Sequence, residues 1–504
     1  MPNWKIGKQA RLGAFWTTST NIGYWIVFTI NSMVLARFLT PEEFGLMALA
    51  NLTIVLVKHF FEFGLSYAFI QEKTVNQVDA STFFYLNLAI NLLIWLAILA
   101  VSPFVAEYYD QPILATLLPV FGFGYVIDAF NRVPMAMKAR EVDFRLNSIV
   151  GFIAAIVGAA VCIGMAVSGY GLWSMVADYL VNVAVNLLLV LLWYEWRPSL
   201  TFSMASAKRL MNYGKWMLFK SLLGYATKNL DFILVSRLIG LSALGFYERA
   251  FNLMRTPQRL ITNSVGGVLF SAFARMQGEH ERLRLAFRKV VVTISVLSYP
   301  LLFGMMILAE EFILLMYGDQ WLATVTPLRI MCLTGLFFSI DPLLGSILTS
   351  SGFVKYTAYR QVVEVALLAV ACYIGSFWGI AGVAWATVFL AVTMLVIMMQ
   401  LLGRMSRIRW RDYLEPQYPA MIASAVMVGV LLAARAGWSA FFPYPPIPAL
   451  VALTALGGIA YVATILNLTF AELDTIKDEI REGTNRGIAK AATILRCRKR
   501  VEPK

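Results

Sequence analysis

The sequence predicts an all-α polytopic membrane protein with about 14 transmembrane helices, arranged as two pseudo-symmetric six-helix bundles plus two extra C-terminal helices. Three observations predict it. Of 504 residues, 59% are hydrophobic and only 14% are charged, with a mean hydropathy of +0.70. Apolar stretches of roughly 20 residues, enough to cross a bilayer as helix, recur along the chain. The chain also repeats itself. Asn31-Ser-Met-Val-Leu-Ala-Arg37 returns as Asp231-Phe-Ile-Leu-Val-Ser-Arg237, and Gly45 and Ala50 fall on Gly245 and Ala250, at a shift of about 200 positions. Gly164 and Gly171-Leu-Trp-Ser match Gly375 and Gly382-Val-Ala-Trp at a shift of about 211. A duplicated helical bundle in lipid is the build of a carrier that works about a central site.

The expected spans, in order, are 12–38, 42–69, 80–106, 112–131, 146–168 and 170–194 in the first half. The second half follows with 216–236, 242–272, 290–310, 322–350, 358–377 and 380–403, and then 414–434 and 446–468. Lipid offers no partner to a backbone amide, so each must be a helix. Five regions result: an N-terminal six-helix bundle (1–195), a cytoplasmic interfacial linker (196–215), a C-terminal six-helix bundle (216–405), helices 13 and 14 (406–469), and a cytoplasmic amphipathic basic tail (470–504). In the tail, Leu473, Ile476 and Ile480 share one helical face among charges, as in a helix resting on anionic lipid.

Lys and Arg set the orientation. With the N-terminus inside, the inward segments hold Lys5, Lys8 and Arg11, then Arg132, Lys138, Arg140 and Arg145, then Arg275, Arg282, Arg284, Arg288 and Lys289, then Arg404, Arg407, Arg409 and Arg411. The outward loops carry Arg37, Arg237, Arg249 and Arg435 alongside acids such as Glu42, Glu43, Glu107, Asp110, Glu310, Glu311 and Asp319. The expected location is the bacterial inner membrane, with both termini cytoplasmic. This bias absorbs most of the net charge of +13, so no nucleic acid is expected as a partner.

Several chemistries are excluded. Cys162, Cys332, Cys372 and Cys497 are scattered, and His59 and His280 are too few for a histidine metal cluster. No phosphate-binding loop occurs, because Gly214-Lys215 lacks the upstream glycine. No Ser/His/Asp grouping is plausible. The reading is therefore a non-enzyme without metal or cofactor.

The informative residues are charges inside the spans, each costing about 2.5–3.5 kcal/mol near the bilayer centre. Lys58 and Glu62 lie four apart in the second span. Lys220, Gly224, Lys228 and Asp231 run at spacings of 4, 4 and 3 in the seventh. Arg255 and Arg259 lie four apart in the eighth, and Arg329 sits in the tenth. We read these eight ionisable residues as the lining of a substrate cavity between the bundles. Basic groups outnumber acidic ones, which suits an anionic ligand, and the arginine fork suits phosphate. Internal pairing, as Lys58–Glu62 or Lys228–Asp231, is the alternative. Aromatic residues make up 13% of the chain, but their spacing does not select any that would stack on a sugar.

The ordered set Ser32-Met-Val-Leu-Ala-Arg-Phe-Leu-Thr-Pro-Glu-Glu-Phe-Gly45, Phe63-Gly-Leu65, Val235-Ser-Arg-Leu-Ile-Gly-Leu-Ser-Ala-Leu-Gly-Phe-Tyr247 and Gly379-Ile-Ala-Gly-Val383 resembles the polysaccharide-transporter branch of the multidrug/oligosaccharidyl-lipid/polysaccharide flippase superfamily. The resemblance is to Wzx-type exporters of the colanic-acid or exopolysaccharide kind, over about residues 10–405. It implies two bundles that alternate between inward- and outward-open states. It implies as cargo an undecaprenyl-diphosphate-linked glycan, moved across the inner membrane for exopolysaccharide or O-antigen-type assembly. Membrane lipids are then partners, with a polysaccharide polymerase and chain-length machinery as further candidates. The extra helix pair resembles one that in some relatives forms a groove for the lipid tail. Three alternatives stay open: a multidrug or cation exporter of the same superfamily, which the basic surplus disfavours; a membrane polysaccharide polymerase or ligase, which the short outward loops disfavour; and a non-transporting scaffold for a polysaccharide machine, which would leave the charges in the spans without a purpose.

Overall fold

The computed structural model describes residues 3–61, 75–140, 144–212, 215–262, 278–350, 354–439 and 447–470, with Phe69, Phe273, Arg275, Met276 and Leu473 placed singly. The described residues form an all-α membrane protein. Ten helices are long and apolar enough to cross a bilayer by length and composition. Two other expected spans fall outside that ten because of their charges: Lys215–Leu238 carries Lys220, Lys228, Asp231 and Arg237, and Val354–Ser376 carries Lys355, Arg360 and Glu364. The apolar part of the first helix, Ile22–Phe38, is a shorter segment.

Contacts divide the chain into two compact units. The first comprises Met1–Glu248, Met316–Trp321 and Val365–Val383. Its helices are α1 (Asn3–Phe38), α2 (Pro41–Phe61), α3 (Gln77–Tyr108), α4 (Leu114–Arg140), α5 (Phe144–Val167), α6 (Trp173–Trp193), α7 (Met204–Asn212) and α8 (Lys215–Leu238), with most of α9 (Leu241–Met254). Helix α3 starts at a capping box, in which Asn76 and Asp79 each accept the other's backbone N–H. Helix α1 packs on α5, α5 on α6, α3 on α4, and α2 on α8. Apolar burial supplies the core: Phe69 stacks on Phe83 at 4.5 Å, both of them buried. Trp321 is fully buried and packs edge-on against Phe44 and Phe246, while its indole N–H donates to the Ala36 carbonyl at 2.8 Å.

The connection after α6 is tied to α3. Ser206 Oγ and Arg209 Nη2 both reach Asp79, at 2.5 and 3.0 Å, and Ser81 bonds Ser199 at 2.9 Å. Leu200, Phe202 and Met204 stay exposed there.

The second unit comprises Arg249–Leu315, Leu322–Glu364 and Ala384–Lys504. It holds the end of α9, α10 (His280–Ile307), α11 (Ala309–Met316) up to Leu315, α12 (Val325–Ser350), α13 (Val354–Ser376) up to Glu364, α14 (Gly379–Met405) from Ala384, α15 (Trp410–Leu414), α16 (Tyr418–Ser439) and α17 (Ile447–Asn467), the rest of α13 and the start of α14 falling in the first unit. Helix α10 packs on α12 and on α16, and α16 packs on α17. Leu473 is fully buried in the same apolar cluster as Tyr461 and Ile465. The rest of the basic tail lies outside the described residues.

One expected span needs correction. The stretch 242–272 is not a single helix over its described part. Helix α9 ends at Met254 and the backbone widens into a π turn over Gln258–Thr262. Pro257 is the physical reason, since it lacks an N–H and its ring clashes with the preceding turn.

Candidate functional site

The break at Pro257 positions the residues that matter most. Arg255 and Arg259 flank it. The Arg255 guanidinium lies over the rings of Phe251 and Phe338, at 5.0 and 5.6 Å, and its Nε donates to Gln258 Oε1 at 3.3 Å. Arg259 Nη2 donates to Asn252 Oδ1 at 2.9 Å. Both side chains are half-buried. Rings and amides thus hold two cationic forks in place at the end of a helix that lipid alone would have kept continuous.

Thr256 and Pro257, between those two arginines, also line an apolar groove of about 710 Å³. Its other walls come from α10 (Pro300, Leu301, Gly304, Met305), α11 (Phe312, Leu315), α16 (Met427, Leu431) and α17 (Leu450, Val451, Thr454, Gly458). Glycines keep it open: nothing lies within 4 Å of where a Cβ would stand at Gly304 or Gly458. A volume of this size suits a ligand rather than solvent. Its lining is almost wholly apolar, so the ligand portion it accepts is apolar too.

The remaining expected site residues separate into groups. In the first unit, Lys58 is half-buried, 5.4 Å from the Tyr125 ring, and has no ion-pair partner among the described residues. Glu62 and the side chain of Lys220 lie outside the described residues. Lys228 is exposed, whereas Asp231 is buried and accepts the Tyr247 hydroxyl at 2.9 Å. Those two residues share a face of one helix but differ in burial. In the second unit, Arg329 pairs with Glu310 at 3.6 Å, and Arg435 pairs with the same Glu310 and with Glu311 at 3.2 and 2.7 Å.

Other charges in the spans have partners as well. Asp128 binds Arg132 at 2.6 Å, and Asp178 accepts from Asn31 at 3.3 Å. Asp341 and Glu364 share Arg360, at 3.5 and 3.6 Å, beside a cavity of only about 30 Å³. That is room for a water and no more. His59 packs edge-on against Tyr225.

The sequence reading missed the change of helix type at Pro257 and the residues of the groove. Pro257, in the middle of an apolar run, was the available signal for the first. For the groove, the resemblance implied one at the added helix pair, which supplies part of the wall, but the residues of α9, α10 and α11 that complete it lie up to two hundred positions away and carried no signal.

Comparison with known proteins follows the same lines. The family described as "Polysaccharide biosynthesis protein" matches residues 34–326. The lipopolysaccharide biosynthesis protein WzxC of Escherichia coli (strain K12) is 26% identical over 365 residues, 72% of this chain and 74% of that one. The teichuronic acid biosynthesis protein TuaB of Bacillus subtilis (strain 168) is 22% identical over 428 residues, 84% of this chain and 88% of that one. Among solved structures, the lipid II flippase MurJ in an inward closed conformation matches with a TM-score of 0.68 at 13% identity, over 89% of this chain and 97% of that one. This last likeness is one of fold.

Proposed function

This chain belongs to the polysaccharide biosynthesis protein family, whose members are transporters rather than enzymes, and on that premise we propose that it flips an undecaprenyl-diphosphate-linked oligosaccharide from the cytoplasmic to the outer leaflet of the bacterial inner membrane. The cargo has three parts: a long apolar tail, a doubly anionic diphosphate and a polar glycan. The observation that carries the proposal is the apolar groove whose wall includes Thr256 and Pro257, next in sequence to Arg255 and Arg259, whose guanidiniums lie on Phe251, Phe338 and Asn252 outside that wall. Isoprenoid carbons in the groove exchange contacts with lipid chains for contacts with an equally apolar wall, so the groove seats the tail at little cost. The diphosphate then meets two guanidiniums that offer paired donors to its oxygens.

The topology we adopt has fourteen spans, two six-helix bundles and an added helix pair, with both termini cytoplasmic. The repeat and the placement of Lys and Arg support it. Transport proceeds by alternating access, in which the headgroup is exposed first to one side and then to the other while the tail stays in hydrocarbon. A cation exporter of the same fold is disfavoured, because an arginine pair beside an apolar groove repels a cationic drug.

The test is deletion of the gene followed by analysis of lipid-linked sugars. Completed repeat units should accumulate on the cytoplasmic leaflet, and the wild-type gene should clear them. Accumulation of single units on the outer leaflet would reject the proposal and indicate a polymerase.

A further inference from the structure

We propose that the first unit carries a subsite for a pyranose ring of the cargo, formed by Tyr125, Tyr179, Lys58 and the Asp128–Arg132 pair. The inference rests on the cargo assignment above and adds to it where the sugar is read.

The subsite is built on one stripe of α4. Phe121, Tyr125, Asp128 and Arg132 follow at spacings of 4, 3 and 4 and so share a helical face. Tyr179 comes from α6 and lies directly against α4. A Cβ at Gly124 would come within 2.3 Å of its ring, so this position admits only a glycine while the ring is seated there. Phe121 holds Tyr179 edge-on at 4.7 Å, and the Tyr125 ring lies 5.9 Å away at a tilt of 46°. Lys58 from α2 stands 5.4 Å from the Tyr125 ring. Asp128 and Arg132, paired at 2.6 Å, follow Tyr125 on the same face of α4. Three helices thus converge two phenols, an ammonium, a carboxylate and a guanidinium.

Two arguments turn this cluster into a site. The first is exposure. The side chains of Asp128 and Arg132 are 27% and 44% exposed, and Lys58 is half-buried, all on helices apolar enough to span a bilayer. Arg132 stands at the inward end of the expected span 112–131 and Asp128 one turn inside it, so the pair meets water at the inner mouth of the unit. The second is chemical. A pyranose has an apolar face of C–H bonds and a rim of hydroxyls. A half-buried tyrosine ring covers the first. A carboxylate accepts from two neighbouring hydroxyls, while Arg132 and Lys58 donate to ring and hydroxyl oxygens. The Asp128–Arg132 pair is a poor explanation as a fold element alone, because an exposed i,i+4 pair contributes only about 0.3–0.5 kcal/mol.

The experiment uses the full-length protein in nanodiscs and two probes: undecaprenyl diphosphate without sugar, and the lipid-linked saccharide pool extracted from cells deleted for this gene. Wild-type protein should bind the saccharide-bearing pool more tightly than the bare diphosphate. Tyr125→Leu and Asp128→Asn should each weaken saccharide-lipid binding about tenfold, which is 1.4 kcal/mol, and leave binding of the bare diphosphate unchanged. Tyr125→Phe, which keeps the ring face, should recover most of the loss. Unchanged saccharide-lipid binding in either weakening variant, or equal loss for both probes, overturns the subsite while the cargo assignment stands. Wild-type protein that binds neither probe sinks the cargo assignment and the subsite with it.

Discussion

Gly45 and Gly245 hold equivalent places in the two sequence copies, and each faces the first helical residue of the other copy's helix. A Cβ on Gly45 would lie 2.0 Å from the Leu241 carbonyl oxygen, and one on Gly245 would lie 2.0 Å from the Pro41 carbonyl oxygen. Helices α2 and α9 therefore cross backbone to backbone, with small residues permitting the approach that membrane helices use in place of a hydrophobic drive. The obstructing atoms are carbonyls and cannot swing aside.

Gly45→Ala and Gly245→Ala should each destabilise the protein by at least the 1–3 kcal/mol typical of overpacking, about that range or above it because backbone has to move. Gly429→Ala is the control, since nothing lies within 4 Å of a Cβ there. Thermal unfolding in detergent checks the prediction: the first two variants should melt earlier and the control should not. Equal melting of all three would mean that the crossing is looser than described.

The same pair shows how much was legible in the sequence. The 200-residue shift picked out both glycines because a backbone contact tolerates only one residue type, and duplication preserved the demand. The paired match at Gly171 and Gly382 has similar grounds: Glu43 accepts the Leu172 N–H at 2.9 Å beside Gly171, and a Cβ on Gly382 would lie 2.1 Å from the Gly375 carbonyl oxygen. Charge spacing served less well. Lys228 and Asp231 are close enough in sequence to pair, yet Asp231 is buried and accepts the Tyr247 hydroxyl while Lys228 is exposed. Which tyrosines cluster, and which apolar residues leave a groove unfilled, depends on packing between distant segments. Periodicity along one helix carries no record of that.

Arg255 and Arg259 give the second prediction. The double variant Arg255→Ala, Arg259→Ala should abolish polysaccharide export with normal protein levels in the membrane. Arg255→Lys should also impair it, by roughly tenfold or more, because an ammonium keeps the charge but loses the planar stack on Phe251 and Phe338 and the forked donors. The measurement is export per unit of membrane-inserted protein. Full activity in the double variant would remove these residues from the diphosphate site.

The groove gives the third. Gly304→Leu and Gly458→Leu should fill it without a clash at the Cβ, so folding should survive while the tail is excluded. Replacing a helical glycine also favours the helix by about 0.8–1.0 kcal/mol or slightly less for leucine. Melting temperature should therefore hold or rise as binding of a polyprenyl diphosphate falls. Unimpaired binding in both variants would place the tail elsewhere.

Arg329 separates fold from site. It is one of the expected cavity residues, yet it shares Glu310 with Arg435, and among the described residues Arg435 is the one paired with the buried Glu311. Removing Arg329 takes one long contact from a half-exposed carboxylate, so Arg329→Ala should cost no more than about 1 kcal/mol. Removing Arg435 takes the 2.7 Å partner from a carboxylate only 5% exposed, so Arg435→Ala should cost about 1–3 kcal/mol. Adding Glu311→Gln to Arg435→Ala should recover part of that loss, because a neutral amide is cheaper to leave unpaired than a carboxylate. Unfolding curves for the three variants check the order. If Arg329→Ala instead melts like wild type but loses affinity for undecaprenyl diphosphate, Arg329 belongs to the cargo path and the ion pair with Glu310 is incidental.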